Sequence, residues 1–237
     1  MFNMEFARAT MGAILREGLP ATLTVVFWTL VISLPLGFLL GLIRFRRVPV
    51  LMPLSTVVIS FFRGTPLVIL IFLLYSALPD ALARLAQIHG WGIDVYGLLL
   101  GSTKGYAVFI CSTFTISTMA EIFRSALGAV EAGQLEAAHC VGLSTAQAYW
   151  HIVIPQALVS ALPNLGNDVI GLVKGTSLMF YMGLKDIMGV AKTEAGPAYA
   201  YVEAYVDVLI VYVVLCFILQ ELFRHLEQRL RSYGAKG

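Results

Sequence analysis

Charged side chains are scarce in this sequence. Only 13% of the 237 residues are Asp, Glu, Lys or Arg, compared with about 25% in soluble domains, whereas 59% are hydrophobic. The mean hydropathy is +0.83. These values exclude an ordinary soluble domain and a disordered chain, and they predict a membrane protein. The net charge of +2 comes without a long basic run or interleaved aromatic and basic residues, so we expect no nucleic-acid partner.

Residues that carry metal or catalytic chemistry are also few. The three cysteines lie far apart without a C-x-x-C spacing, and the four histidines are scattered without metal-ligand spacing. We therefore predict no metal site and interpret the cysteines as packing residues. The sequence has no G-x-x-x-x-G-K-[ST] motif, and even the dipeptide Gly-Lys is missing. The chain itself is thus expected to bind no cofactor and to hydrolyse no ATP.

Five segments are apolar enough to cross a hydrocarbon core of about 30 Å as helices, which requires roughly 20 residues each. The first is followed at once by Arg44, Arg46 and Arg47, and this positive charge places its C-terminal end in the cytoplasm. Five spans then put the N-terminus outside and the C-terminus in the cytoplasm. The predicted all-α protein has spans at residues 18–43, 50–78, 106–127, 152–174 and 200–223, and a cytoplasmic tail at 224–237 with Arg224, His225, Arg229, Arg231 and Lys236.

The segments around these spans are predicted to lie at the membrane surface. Residues 1–17 have apolar side chains at helical spacing and favour a short interfacial helix. A turn at Pro79 and Asp80 is expected to end the second span, and residues 81–96 are interpreted as an external loop with an interfacial helix. Because an odd number of spans does not divide into two inverted repeats, a transporter built from this chain is expected to need a second subunit.

The cytoplasmic segment at residues 128–152 has local chemistry that specifies a shape. Residues 134–141 favour a helix, and Gly142 stands where a left-handed residue would end it. Ser144 and Gln147 form the S-x-x-Q pattern of a capping box, which starts a second helix. Two helices joined at a fixed corner are suited to transmit a movement of a soluble partner to the membrane spans.

This segment resembles the EAA signature of permeases from ATP-binding cassette (ABC) importers, E-A-A-x3-G-x9-I-x-L-P. Glu136, Ala137, Ala138 and Gly142 match its first part, and residues 152–155 match its end. Ile154 stands where the signature usually has Leu, a change that keeps the apolar volume.

Four further elements resemble the polar amino-acid branch of that superfamily, which covers histidine, arginine, glutamine, glutamate and opine permeases. They are F-R-G-T-P-L at residues 62–67, A-E-I-F-R at 120–124, L-P-N-L-G-N at 162–167 and K-G-T-S-L at 174–178. The last element usually has Asp at the position of Gly175, which leaves substrate preference open. The resemblance implies a single type I ABC-importer permease domain over residues 1–237 in the bacterial inner membrane.

The resemblance also implies partners. Two ATP-binding subunits, which would hold ATP and Mg²⁺, are expected to dock on the 128–152 loop. A second permease chain, identical or paralogous, would complete the pathway, and an extracytoplasmic binding protein would deliver an amino acid. The residues expected to couple to the ATP-binding subunits are Glu136, Ala137, Ala138, Gly142, Ile152 and Pro155.

Several polar residues within the spans are candidates for the substrate pathway. Arg63, about 15 Å into its span at 1.5 Å per residue, either snorkels to the headgroups or faces water beside a helix opened by Pro66. Glu121 and Arg124 are interpreted first as a mutually neutralising pair at i and i+3. Asp168 and Lys174, in the fourth span near the break expected at Pro163 and Gly166, either line a pathway or form an internal ion pair. The full candidate set is Arg63, Thr65, Glu121, Asn167, Asp168, Lys174, Thr176 and Ser177, while Ser33, Pro35, Gly37 and Gly41 are interpreted as close-packing positions.

Other functions stay open at this point. An ion-coupled secondary carrier would work without an ATPase partner, and a related ABC permease could move a different small polar solute. An intramembrane enzyme is less consistent with the sequence, because Ser177 and the scattered histidines offer no recognisable nucleophile and base.

Overall fold

The chain folds entirely into helices in the part that the structure describes. The structure is a computed structural model that describes residues 2–234 and the side chains of residues 2–230. Lys236 of the predicted tail lies outside the described residues. The α-helices are α1 Met4–Ala13, α2 Leu19–Phe45, α3 Leu51–Gly64, α4 Leu67–Phe72, α5 Leu78–His89, α6 Val95–Leu100, α7 Thr103–Gly128, α8 Ala132–Cys140, α9 Thr145–Ala148, α10 Ile154–Gly175, α11 Ile187–Ala198 and α12 Tyr201–Gly234. A 3₁₀-helix, Thr176–Met182, follows α10.

Among the described residues, four continuous helices are long and apolar enough to cross a membrane: Met4–Phe45, Leu67–His89, Thr103–Gly128 and Tyr201–Leu230. The predicted first and third spans fall within two of them, and the predicted fifth span begins one residue before a third, Tyr201–Leu230. The predicted fourth span forms the 22-residue helix α10, whose composition is more polar than that of those four. The last helix continues through the first part of the predicted tail to Gly234.

The predicted second span at 50–78 is wrong in its boundaries. Helix α3 ends at Gly64, and Thr65 has an extended backbone with φ −96° and ψ 126°. Residues that precede proline are pushed out of the α region, so Pro66 ends α3 and starts α4. The apolar span runs instead from Leu67 to His89, directly through the predicted turn at Pro79 and Asp80. The interfacial helix expected within 81–96 is the end of this span.

Three prolines enter helices by the same local device. A π-helical turn ends two residues before each of Pro20, Pro79 and Pro155. The residue between the end of that turn and the proline donates its backbone N–H to the carbonyl five residues earlier. Within a regular α-helix, a proline ring clashes with the carbonyl four residues before it. The wider π turn relieves that clash, so each helix continues. For this reason residues 4–17 run without a break into the first span, whereas a short interfacial helix was predicted for residues 1–17.

Helices α2 and α7 approach each other closely because small residues line one face of α2. Ser33, Gly37 and Gly41 are buried at spacings of four. A Cβ atom at Gly37 would lie 2.7 Å from the Met119 Cβ, and one at Gly41 would lie 2.8 Å from the Ala120 carbonyl oxygen. The interpretation of these three as close-packing positions is confirmed, whereas Pro35 is exposed.

Helix α10 packs between α7 and α12 and is continuous. It passes through Pro163 and Gly166 without interruption, so the predicted break is wrong. Gly166 instead allows a close approach of α12, because a Cβ atom there would lie 2.9 Å from the Phe223 ring. The apolar core of α7 and α10 continues down to Val153 and Leu127 near the 128–152 loop. Of the three free cysteines, Cys111 is buried, but Cys140 is exposed and is not a packing residue.

Candidate functional site

The corner between α8 and α9 has the two caps that its sequence predicts. Gly142 has φ +84°, in the left-handed region, and donates its N–H to the His139 carbonyl at 3.0 Å. Leu143 donates to the Ala138 carbonyl at 3.1 Å, which completes a Schellman motif. Ser144 and Gln147 then form a reciprocal capping box at the start of α9. The direction of the chain is therefore fixed on both sides of the corner.

One side of this corner is attached to the helices and the other is exposed. Ala138 is 2% exposed and Val153 is buried in the core of α7 and α10. The Gln156 side-chain amide on α10 donates a hydrogen bond of 3.3 Å to the Gln134 side-chain oxygen, and this bond connects α8 to α10. We define the coupling surface as the outward-facing residues of this segment: Glu136, Ala137, Val141, Gly142 and Trp150. Val141 and Trp150 are 78% and 68% exposed, so this surface has an apolar part that can bind a partner. Of the other residues predicted to couple, Ile152 is half-buried and Pro155 is exposed.

A cavity of about 170 Å³ lies between α4, α7 and α10. Its walls are largely apolar, but Thr115, Asn167 and Asp168 contribute polar groups. The Asp168 carboxylate accepts a hydrogen bond of 3.0 Å from the Thr118 hydroxyl on α7. Ionisable groups buried among the helices of a membrane protein are costly to desolvate and often mark solute pathways. The cavity is lined by Leu67, Cys111, Phe114, Thr115, Asn167, Asp168, Gly171, Leu172 and Gly175.

One helical turn after Thr118 on α7, one carboxylate meets arginines from three helices. Glu121 on α7 binds Arg124 of the same helix, and it accepts a hydrogen bond of 2.5 Å from Arg44 at the end of α2. Arg63, in the last turn of α3, lies 3.8 Å from the same carboxylate. The predicted pair of Glu121 and Arg124 is present, but it is part of a larger group. We call Arg44, Arg63, Glu121 and Arg124 the arginine cluster.

Arg44 is the member of the cluster that sequence reasoning missed as a site residue. It was interpreted only as part of the positive charge that follows the first span. The sequence did contain a signal for this role of Arg44. Gly37 and Gly41 lie on the side of α2 that packs on α7, and Arg44, three residues after Gly41, lies near the same side. The depth inferred for Arg63 is also corrected, because α3 is a separate short helix whose end meets the last turn of α2.

The remaining pathway candidates do not all meet at the cavity. In the described part of the chain, no ion pair joins Asp168 to Lys174, and Lys174 is exposed toward α12 beside Ser177 and Tyr205. The alternative of an internal pair between them is therefore wrong. Three hydroxyls bond to carbonyls of their own turns: Thr65 to Phe61, Thr176 to Val173 and Ser177 to Lys174.

Comparison with known proteins identifies the family. Residues 33–232 match the model of the binding-protein-dependent transport system inner membrane component. The chain belongs to this permease family. The permease is 38% identical over 210 residues to the probable amino-acid permease protein YxeN of Bacillus subtilis, covering 87% of this chain and 88% of that protein. It is 37% identical over 217 residues to the L-cystine transport system permease protein TcyL of the same species, covering 90% and 86% respectively.

Solved structures share the fold of this permease. An amino acid ABC transporter with histidines superposes with a TM-score of 0.75 at 26% identity, over 90% of this chain and 92% of that one. The inward-facing MetNI methionine ABC transporter superposes with a TM-score of 0.71 at 18% identity, over 96% and 97%. The predicted all-α, type I permease fold in the bacterial inner membrane is thereby confirmed, while the orientation of its termini stays a prediction. A member of this family is a transport component and not an enzyme.

Proposed function

We propose that this permease forms half of the translocation pathway of an ATP-driven importer for polar amino acids. The observation that carries the proposal is the cavity between α4, α7 and α10, where Asn167 and Asp168 present polar groups within largely apolar walls. An amide and a carboxylate in such a cavity can hydrogen-bond the ammonium group of a small solute. At about 170 Å³ in one chain, the cavity is small for a complete ligand site, which typically has about 300–1,000 Å³. A second permease chain would enlarge and close it.

Energy for transport would come from partner subunits that bind ATP and Mg²⁺. The coupling surface supports this step, because it combines exposed apolar groups with a corner that two caps hold rigid. Two ATP-binding subunits would dock on it, one for each permease chain. Movement of α8 would pass to α10 through Val153 and through the contact between Gln134 and Gln156.

The substrate class rests on relatives as well as on the cavity. Similar proteins are named for the transport of L-cystine, arginine and octopine. These solutes share the zwitterionic end of an α-amino acid and differ in their side chains. An extracytoplasmic binding protein would select among them and deliver the substrate to the permease.

The first test is purification of the tagged permease from membranes in mild detergent, followed by mass spectrometry of associated proteins. We expect an ATP-binding subunit to co-purify and the complex, reconstituted in vesicles, to take up a polar amino acid when ATP and a loaded binding protein are supplied. Isolation of the chain alone, with ATP-independent and ion-dependent uptake, would support a secondary carrier instead. Uptake only of a different solute would refute the substrate class.

A second test addresses the coupling surface. Glu136→Ala removes an exposed carboxylate from α8, and we expect ATP hydrolysis to lose its stimulation by the loaded binding protein while the protein still inserts normally. Glu131→Ala is the matched control, because Glu131 is also exposed but precedes the first residue of α8. Equal coupling in both variants would contradict the role of Glu136.

A further inference from the structure

Two neighbouring cavities form one groove where α1 and the start of α2 pack on α12. The first, of about 440 Å³, is lined by Arg8 and Asp207 together with apolar side chains. The second, of about 270 Å³, is lined by apolar side chains alone. Because both cavities are lined by Met11 and Ile210, they are continuous. This groove shares no lining residue with the cavity between α4, α7 and α10.

The polar end of the groove contains a carboxylate without a partner. Asp207 is 4% exposed, and its Oδ2 atom has no hydrogen-bond partner among the described residues. Glu203, one turn earlier on α12, differs because its carboxylate accepts a hydrogen bond of 2.9 Å from the Asn3 backbone N–H. A buried carboxylate is costly unless a donor or a cation compensates for it. Another molecule can supply that partner to Asp207.

Arg8 contributes the opposite charge at the same end of the groove. It is exposed, and it lines the same cavity as Asp207. In the described part of the chain, neither residue forms an ion pair, so both charges are available to a ligand. A guanidinium binds phosphate oxygens through parallel hydrogen bonds, and a carboxylate accepts hydrogen bonds from an ammonium group. A ligand that carries both a phosphate and a primary ammonium group matches this pair.

The polar end lies near one boundary of the hydrocarbon core. Arg224 follows Asp207 by 17 residues on α12, and residues 208–220 between them are uncharged. At 1.5 Å per residue, the two charged residues are about 25 Å apart along the helix. A hydrocarbon core is about 30 Å thick, so they fall near its opposite boundaries. Asp207 and Arg8 are therefore at the level of the lipid headgroups of one leaflet.

The apolar part of the groove extends from that boundary toward the middle of the membrane. Its last lining residue, Ile218, lies eleven residues after Asp207, or about 17 Å along α12. Half of the hydrocarbon core is about 15 Å thick, so the groove is as long as one leaflet is deep. Leu15, Val214 and Ile218 are about half-exposed and can contact an acyl chain.

We propose that this groove binds phosphatidylethanolamine, with the ammonium group at Asp207, the phosphate at Arg8 and an acyl chain along the apolar part. Phosphatidylcholine has the phosphate, but its methylated ammonium has no N–H to donate. Phosphatidylglycerol has the phosphate and no ammonium group. Preference for the ethanolamine headgroup distinguishes this site from an ordinary lipid-facing surface, which makes apolar contacts with any phospholipid.

The test measures lipid binding to the permease purified in mild detergent with the subunits that it retains. Native mass spectrometry with the dioleoyl forms of these three lipids gives a Kd for each. Because the acyl chains are identical, any difference in Kd comes from the headgroup. We expect the wild type to bind phosphatidylethanolamine about tenfold to a hundredfold more tightly than the other two, the worth of a charge-assisted hydrogen bond.

Two variants separate the charges of the site. Asp207→Asn should remove the preference by weakening phosphatidylethanolamine alone. Arg8→Gln should weaken all three lipids, because each carries a phosphate, and it changes an exposed residue that the fold does not depend on. Arg16→Gln is the matched control, because Arg16 is also exposed but does not line the groove, and it should behave as the wild type.

Three results would each overturn the lipid site. They are equal affinity of the wild type for the three lipids, an unchanged preference in Asp207→Asn, and no binding of phosphatidylethanolamine at all. An Arg8→Gln variant that binds all three lipids as the wild type does would overturn the assignment of the phosphate to Arg8. Amino-acid uptake is a separate measurement, so failure of the lipid site leaves the proposed function intact.

Discussion

Replacement of Gly41 by Ala tests whether the close contact of α2 and α7 holds this fold together. A Cβ atom at Gly41 would lie 2.8 Å from the Ala120 carbonyl oxygen and 2.9 Å from the Phe123 Cβ. Both neighbours are rigidly attached to α7, so the two helices must move apart. Overpacking of this kind costs about 1–3 kcal/mol. The upper end of this range is expected here, because the contacts are short and the atoms of α7 cannot move independently.

The substitution also has a favourable contribution, because Ala is about 1 kcal/mol better than Gly within a helix. The net loss in the free energy of unfolding is then about 2 kcal/mol. For a protein of this size, each kcal/mol shifts the Tm by about 2–4 °C. We therefore expect Gly41→Ala to lower the Tm by about 4–8 °C. The Arg44 to Glu121 contact, one turn farther along α2, should loosen as well.

Gly12→Ala provides the matched control in the same detergent. No atom lies within 4 Å of a Cβ atom built at Gly12, which is also in a helix. The control keeps the propensity gain without the steric cost, so its Tm should rise by about 2–4 °C. Thermal unfolding followed by the loss of circular dichroism measures both variants. A Tm shift of the same sign and size in the two would refute the assignment of Gly41 to a packing contact.

Two further substitutions probe the cluster and the corner. Glu121→Gln should lower the free energy of unfolding by about 1–3 kcal/mol, because it removes the charged partner to which Arg44 and Arg124 donate hydrogen bonds at a partly exposed site; a thermal shift no larger than that of Arg63→Gln would contradict this. At the coupling surface, Gly142 has a left-handed backbone conformation, which costs a residue with a side chain about 1–2 kcal/mol. Asn adopts this conformation more readily than other such residues. Gly142→Val should therefore reduce binding-protein-stimulated ATP hydrolysis more than Gly142→Asn, and equal activity of the two variants would show that the corner is not rigid.

The sequence predicted local structure well wherever neighbouring residues decide the outcome. The corner after α8 is the clearest case, because a glycine cap and a capping box act within a few residues of the backbone groups that they bind. Apolar runs likewise predicted most of the spans, since a bilayer requires length and low polarity and little else. Three of the four small or Pro residues interpreted as close-packing positions, Ser33, Gly37 and Gly41, are buried, because small side chains let helices in a membrane approach each other closely.

Prolines were the main source of error. Pro79 and Pro163 were each interpreted as an interruption, yet the helices continue through both. Pro66, interpreted as a local opening within a span, instead ends α3 outright. A π turn before Pro79 makes room for its ring, and nothing in the pattern of side chains marks where such a turn will form. Pro163 instead lies within the regular helix α10, which continues through it.

The sequence by itself determined the membrane-spanning character, the capped corner and the family, because these depend on composition, on contacts between near neighbours and on ordered motifs. Only the tertiary structure decided which charges meet. Arg44, Arg63 and Glu121 lie on three different helices, and their grouping depends on how closely α2 packs on α7 and on where α3 ends. Asp168 and Lys174 are close in sequence but form no ion pair, because α10 directs their side chains to different neighbours, α7 and α12. Electrostatic partners follow from distances in space, which helix packing sets and linear spacing does not.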